Sequence, residues 1–168
     1  MISFREIDKN KDVFLIKSIR DQHLKWLHNS TSFSLNNTKK WIDTLEIPYY
    51  IISSNNVDIG YFRLSQYSNL NRSLYIGMDL DEKYIGKGWA FRSYCLFIPY
   101  IFNLYTLDKI YLEVLSTNIR ALNLYKKLGF ITEKVKYKEI YRGGIYINSI
   151  VMYLNKSKME SLNIYNDI

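Results

Sequence analysis

The stretch LDEKYIGKGWAF, residues 80–91, decides the fold. A strand predicted over residues 74–80 ends there, and a short acidic link, Asp81-Glu82, follows. Gly86 and Gly88 then stand one residue apart, and an apolar helical run opens at Trp89 and continues to Leu104. Upstream, the connections are short. Ser54-Asn55-Asn56 is hairpin chemistry between strands predicted over 49–53 and 57–65, and residues 69–72 form a second turn. That half reads as an antiparallel meander. Downstream, the strand over 109–115 follows only after the long helix. A strand–glycine loop–helix–strand unit needs a crossover, so strands 74–80 and 109–115 are expected to be parallel.

The rest of the chain fits one domain. Residues 2–7 alternate weakly and read as an edge strand. Residues 10–20 have helical spacing at Val13, Ile16, Lys17 and Arg20, with Asn10 as the cap. Residues 28–37, rich in Ser, Thr and Asn, read as a loop. A short helix capped by Asn37 or Thr38 then presents Trp41, Ile42 and Leu45, and Pro48 lies beyond it. A helix over 119–128, a strand over 131–141, a turn at Arg142-Gly143-Gly144 and a strand over 145–154 close the pattern. Pro99 is expected to kink the long helix. The domain is drawn over 1–155, and 156–168 is read as a polar tail, frayed or loosely helical.

Composition narrows the class. A chain of 168 residues holds one full core, and 48% apolar residues exclude a disordered tail protein. No apolar run reaches the ~18 residues of a membrane helix, and MISFREIDKNKD lacks an apolar signal core. With a single cysteine, Cys95, the expectation is a cytoplasmic protein. The net charge of +7 suits anionic ligands, although the basic residues are scattered and an AT-rich coding bias towards Lys explains them equally well. No metal-ligand spacing is present, so no metal is expected.

Two segments carry chemistry. At Gly86-Lys87-Gly88, glycine lets backbone amides approach an anion, and the helix start adds unpaired N–H groups and partial positive charge. That combination is a diphosphate cradle, to which Lys87 adds a full charge. The second segment is Asn118-Ile-Arg-Ala121-Leu-Asn-Leu-Tyr125-Lys-Lys-Leu-Gly129-Phe130, a helix with Gly129 suited to its C-terminal cap.

Together these segments resemble the GNAT superfamily of acyl-CoA-dependent N-acetyltransferases. The resemblance is specific over residues 74–154. The family's Asn-x-x-Ala-x-x-x-Tyr-x-x-x-Gly-Phe is complete. Its pyrophosphate loop, Gln/Arg-x-x-Gly-x-Gly/Ala, appears as Ile85-Gly86-Lys87-Gly88-Trp89-Ala90, with Ile85 in place of Gln or Arg. The resemblance implies an α/β, single-domain GNAT-like fold: a mixed, mostly antiparallel sheet with a splayed parallel central strand pair and helices on both faces. It also implies acetyl-CoA as co-substrate. Pantetheine would pair with the strand near Met78 and Leu80, the diphosphate would sit on the amides of Ile85, Gly86, Lys87, Gly88, Trp89 and Ala90, and Asn118 would bond the pantetheine arm. Asn118 serves equally as a helix N-cap.

Tyr125 matches the family's general acid, whose phenol protonates the departing thiolate; a core tyrosine is the bland alternative. Glu113 precedes Tyr125 by twelve residues, the spacing of base and acid in the ribosomal alanine acetyltransferases it resembles. It is the candidate base, with a structural carboxylate as the competing reading and Asp79 as the alternative base. His23 and His28 lie near the expected acceptor loop and read as surface residues. Cys95, without a paired histidine, is not a nucleophile, and direct attack on the thioester is expected.

The acceptor must be a neutral amine. Deprotonating a lysine-like amine at pH 7 costs ~4.6 kcal/mol, and an amine near the α-amino reference costs only ~1.4 kcal/mol. That difference, the basic charge and a likeness of the helix–loop–Trp41 region to sugar-nucleotide acetyltransferases favour a small anionic acceptor, a nucleotide-linked amino sugar. A protein N-terminus and a polyamine rank next. The rival from another class is a non-catalytic CoA- or nucleic-acid-binding module; no basic cluster on one helix supports nucleic acid. No membrane partner is expected. A homodimer through the exposed final strand is.

Overall fold

The computed structural model describes residues 1–165. One seven-stranded sheet has the order β1-β2-β3-β4-β5-β7-β6. Its strands are β1 (Ile2–Glu6), β2 (Tyr50–Ser54), β3 (Val57–Ser68), β4 (Ser73–Leu80), β5 (Lys109–Leu115), β6 (Ile131–Arg142) and β7 (Ile145–Asn155). The helices are α1 (Val13–Gln22), α2 (Leu35–Asp43), α3 (Trp89–Leu104), α4 (Ile119–Lys127) and α5 (Lys156–Glu160). Every neighbouring pair is antiparallel except β4–β5, the pair for which the crossover demanded parallel strands. The β2–β3 hairpin turns at Asn55 and Asn56, both with left-handed φ (49° and 63°), as a two-residue primed turn requires.

Strand alternation divides the core into two layers. Ile51 and Tyr61 face α1 and α2, where Val13, Ile16, Ile19 and Ile42 pack. Ile52, Phe62, Leu64, Leu74 and Ile110 face α3, with Tyr94, Phe97, Ile98, Ile101 and Phe102. Phe62 and Phe97 are fully buried and stack at 4.1 Å. The helix α3 runs past Pro99 to Leu104 without ending. Helices α1 and α2 pack on the β1–β3 side of their face, and the same face of β5 and β7 stays partly open at Tyr111, Glu113 and Tyr153.

Several boundaries differ from the sequence expectation. Helix α1 begins at Val13 after Asp12, not at Asn10, because Asp8 already turns the chain by accepting the N–H groups of Asn10 (2.9 Å) and Lys11 (3.1 Å). Helix α2 begins at Leu35, capped by Ser34 Oγ, which accepts the Asn37 N–H at 3.1 Å; Thr38 instead donates its hydroxyl to the Ser34 carbonyl. The final strand is not an edge. β7 lies between β5 and β6, so any strand pairing with a second copy on that side falls to β6. The tail is not frayed over 156–165: α5 buries Met159, and Tyr165 Oη donates to the Leu128 carbonyl at 2.7 Å. Residues 166–168 lie outside the described residues.

Helix α4 ends as the sequence implied. Gly129 has φ +88°, its N–H bonds the Lys126 carbonyl, and the Phe130 N–H bonds the Tyr125 carbonyl, which together make a Schellman cap. A Cβ on Gly129 would also run into Leu162 Cδ1. Gly129→Ala is therefore expected to destabilise the chain by about 1–2 kcal/mol through the left-handed backbone, with Leu162 yielding. Urea denaturation checks this; an unchanged midpoint overturns it.

Candidate active site

The parallel pair parts almost at once. β4 and β5 are paired only from Ser73–Lys109 to Tyr75–Tyr111. Beyond Tyr75, β4 stays on β3 as far as Leu80, and β5 stays on β7 as far as Leu115. Each strand follows its antiparallel partner, so a wedge opens between them. Along residues 76–80, the β4 edge that faces β5 is left without a ladder.

At the open end a single 3₁₀ turn, Glu82–Tyr84, leads into Ile85 and the glycines. Gly86 and Gly88 have φ of +76° and +82°, and Gly88 is the residue before α3. A Cβ added to either meets no protein atom within 4 Å. Glycine is thus required by the backbone, and any side chain there would fill the open space before the helix N-terminus.

A cavity of about 300 Å³ occupies the wedge. Met78, Leu80, Ile85, Gly86, Gly88, Ala90, Asn118, Tyr125 and Glu113 all line it. Of the residues read as cofactor-binding in the sequence, Lys87 and Trp89 do not. Lys87 is exposed, and Trp89 packs edge-on against Tyr84 at 6.4 Å. His23 is buried, not a surface residue, and its Nε2 meets the Leu80 carbonyl at 2.6 Å. Asn118 caps α4: its Oδ1 accepts the Ala121 N–H at 3.2 Å. Its amide nitrogen makes no hydrogen bond among the described residues and is available to the cavity.

Tyr125 projects from α4 towards Tyr94 of α3, with ring centroids 5.9 Å apart and planes at 89°. Burial raises the Tyr125 pKa, and the neighbouring Tyr94 hydroxyl works against that rise. The Tyr94 hydroxyl is itself buried without a hydrogen-bond partner among the described residues, and it borders the same cavity. The open glycine loop, the unpaired β4 edge and this unsatisfied hydroxyl fit a thioester cofactor with a polar arm and a diphosphate. Among the described residues, no group of three His, Cys, Asp or Glu is placed to hold a metal ion.

The two candidate carboxylates are both paired. Asp79 is buried, with Arg63 Nε 3.1 Å from its Oδ2. The Arg63 guanidinium lies across Gly77, where a Cβ would sit 2.8 Å from Nη2. Glu113 Oε1 receives Ser149 Oγ at 2.6 Å and Lys136 Nζ at 2.8 Å. Burial acts to raise the Glu113 pKa, but the bonds from Lys136 and Ser149 outweigh it and hold the carboxyl below its usual range. His28 Nε2 stands 2.7 Å from Ser149 Oγ and 3.5 Å from Glu113 Oε1.

A second cavity, about 540 Å³, continues from the first and shares Trp26, Leu27, Arg63, Asp79 and Glu113 with it. Its walls add His28, Trp41 and Tyr49. The roof is the loop between α1 and α2. Arg20 holds that loop by donating to the carbonyls of Thr31 (2.7 Å) and Asn29 (2.8 Å). Arg142 holds it by donating to those of Lys25 (2.8 Å) and Leu27 (2.9 Å). A larger hollow of about 1010 Å³ lies at the other end of β4 and β5, around Ser73, Tyr75 and Lys109. There the strands are paired and no glycine loop opens, so it lacks the features of the wedge.

Sequence reading missed Arg63, Tyr94, Lys136 and Ser149. Arg63 between Phe62 and Leu64 of β3, and Ser149 two residues from the buried Ile147 and Val151 of β7, were the available signals. The partners that give them meaning are 16 and 36 residues away.

The profile of the acetyltransferase (GNAT) domain family matches residues 3–131. The chain is 30% identical over 103 residues to spermidine N(1)-acetyltransferase of Escherichia coli K12, a match covering 61% of this chain and 55% of that protein. It thus spans about half the length of that relative. It is 24% identical over 156 residues to the SPbeta prophage-derived uncharacterized N-acetyltransferase YokL of Bacillus subtilis, covering 89% and 88% of the two chains. Among solved structures, spermidine N-acetyltransferase from Vibrio cholerae in complex with CoA and spermine superposes with a TM-score of 0.87 at 21% identity, over 95% of this chain and 98% of that one. With the family profile across most of the chain, on a sheet whose one parallel pair splays above a glycine loop, this protein belongs to the acetyltransferase (GNAT) domain family.

Proposed function

We propose that the chain is an acetyl-CoA-dependent N-acetyltransferase that transfers directly to a primary amine, with a polyamine as the acceptor class. The observation that carries the transferase reading is the wedge between β4 and β5, continuous with a second cavity at Asp79 and Glu113. Two observations move the acceptor away from a nucleotide-linked amino sugar. Relatives from Escherichia coli and Vibrio cholerae are named for spermidine. The two arginines of the acceptor cavity are also already engaged, Arg20 by backbone carbonyls and Arg63 by Asp79, which leaves neither for a diphosphate. Aromatic side chains at Trp26, Trp41 and Tyr49 line the cavity and suit an ammonium group.

Acetyl-CoA supplies the activated acetyl group. The amides of residues 85–90 hold its diphosphate, and Met78, Leu80 and Asn118 hold the pantetheine arm. Tyr125 keeps its phenolic proton at neutral pH, because burial raises a reference value of ~10, and it delivers that proton to a thiolate of reference ~8.5. Glu113, anionic and held by Lys136, favours positive charge at the cavity junction.

Thiol release from acetyl-CoA, measured with spermidine, nucleotide amino sugars and short peptides, tests the reading. Turnover is expected with spermidine. Turnover confined to an amino sugar would return the acceptor to that class. No turnover and no acetyl-CoA-induced rise in melting temperature would sink the reading altogether.

A further inference from the structure

We propose that His28 accepts the proton of the acceptor amine through Nδ1, with Ser149 and Glu113 fixing its tautomer and stabilising the imidazolium that forms. This rests on the acetyltransferase reading and adds a catalytic residue to it. The geometry sets the direction of each bond. Glu113 is an acceptor, so Ser149 Oγ donates to it at 2.6 Å. The Ser149 oxygen then accepts from His28 Nε2, 2.7 Å away, which places the ring proton of neutral His28 on Nε2. Among the described residues the His28 ring is hydrogen-bonded only at Nε2, so the Nδ1 lone pair remains for a ligand.

His28 borders the acceptor cavity alone, and Glu113 stands where that cavity meets the wedge. An amine reaching the thioester from the acceptor side therefore passes the imidazole. Burial lowers the His28 pKa, and Glu113 opposes the change, so the ring is neutral at pH 7 and able to take a proton. The charged groups around it are Glu113 on β5, Lys136 and Glu139 on β6, and Arg63 on β3. Arg142 of β6 holds the backbone on either side by bonding the Leu27 and His28 carbonyls. Glu113 is the poorer base because Lys136 and Ser149 already stabilise its anion.

The step balances. The ammonium gives one proton to His28 Nδ1. The electron pair left on nitrogen forms the C–N bond to the acetyl carbon as the C–S bond breaks, and sulfur takes the Tyr125 proton. The second proton lost by nitrogen restores the Tyr125 phenol, and His28, partly exposed, releases its own to solvent.

Two readouts test this. In steady-state kinetics with spermidine, log kcat/KM of the unaltered chain is expected to fall as pH drops through a value below 6.5, the ordinary imidazole pKa. His28→Gln keeps a donor for Ser149 but takes no proton; kcat at pH 7 should fall about 10²-fold and the acid limb should vanish. Glu113→Gln should move that limb to lower pH, since the charge that supports imidazolium is gone. An intact limb in His28→Gln, or a change in KM alone, overturns the proposal. The second readout needs no turnover. The chain has two histidines, so the signals lost in His28→Gln assign the nitrogen-15 imidazole spectra. Expected are the Nε2–H tautomer at His28, titration below 6.5, a further drop in Glu113→Gln, and tautomer mixing in Ser149→Ala. A mixed tautomer in the unaltered chain, with ordinary titration indifferent to both substitutions, overturns the relay even where an amine other than spermidine proves to be the acceptor.

Discussion

Gly88→Asp is expected to abolish acetyl-CoA binding while the chain still folds. Three effects act together. Gly88 sits at φ +82°, and a residue with a Cβ pays about 1–2 kcal/mol there. The new side chain meets no protein atom, so it projects into the space the diphosphate would occupy. Its carboxylate then opposes phosphate at the head of α3, where the helix favours negative ligands. A loss of at least 10²-fold in affinity, about 2.7 kcal/mol, is expected. The measurement is the acetyl-CoA-induced shift in melting temperature, with titration calorimetry for the constant. Gly88→Ala separates the contributions: it carries the backbone strain without the charge and should weaken binding about tenfold or less. Persistent binding by Gly88→Asp would place the cofactor elsewhere in the fold.

The second large effect is on turnover. Tyr125→Phe removes one hydroxyl from a side chain packed between Tyr94 and Phe130. The ring packing survives, so acetyl-CoA affinity should change by less than about threefold. The proton donor is lost, and kcat should fall by about 10²–10⁴-fold, the range for general acid catalysis. Tyr94 is the control. Its hydroxyl neighbours Tyr125 and opposes the rise in that pKa, so Tyr94→Phe leaves the proton donor in place and should slow turnover far less. Unaltered kcat in Tyr125→Phe would remove it from the acid role, and equal losses in both variants would assign the role to the pair.

The parallel pair shows where sequence legibility ends. Crossover topology demanded that 74–80 and 109–115 run parallel, and β4 and β5 do. That they part after Tyr75 and Tyr111 follows from their other neighbours: β3 and β7 continue pairing to Leu80 and Leu115, and a strand twisted onto one partner leaves the other. Helix caps divide in the same way. Gly129 could be assigned from its position after an apolar helix, since the need for positive φ is local. The start of α1 was displaced by an equally local device, the Asp8 carboxylate accepting the Asn10 and Lys11 N–H groups, and only the hold of Arg5 of β1 on Asp12, at 2.6 Å, needed the strand and the helix to pack together.

By itself, then, the sequence determined the order of elements, the glycine loop at the head of α3 and the Asn118–Tyr125 helix, because turn chemistry, periodicity and capping act over a few residues. The tertiary structure alone decided that β7 enters between β5 and β6, that Arg20 and Arg63 are already engaged, and that His28, Ser149 and Glu113 meet. His28 and Ser149 are 121 residues apart in the chain and 2.7 Å apart in the fold. Their meeting depends on sheet order and on the loop that Arg142 holds down, and no local pattern encodes either.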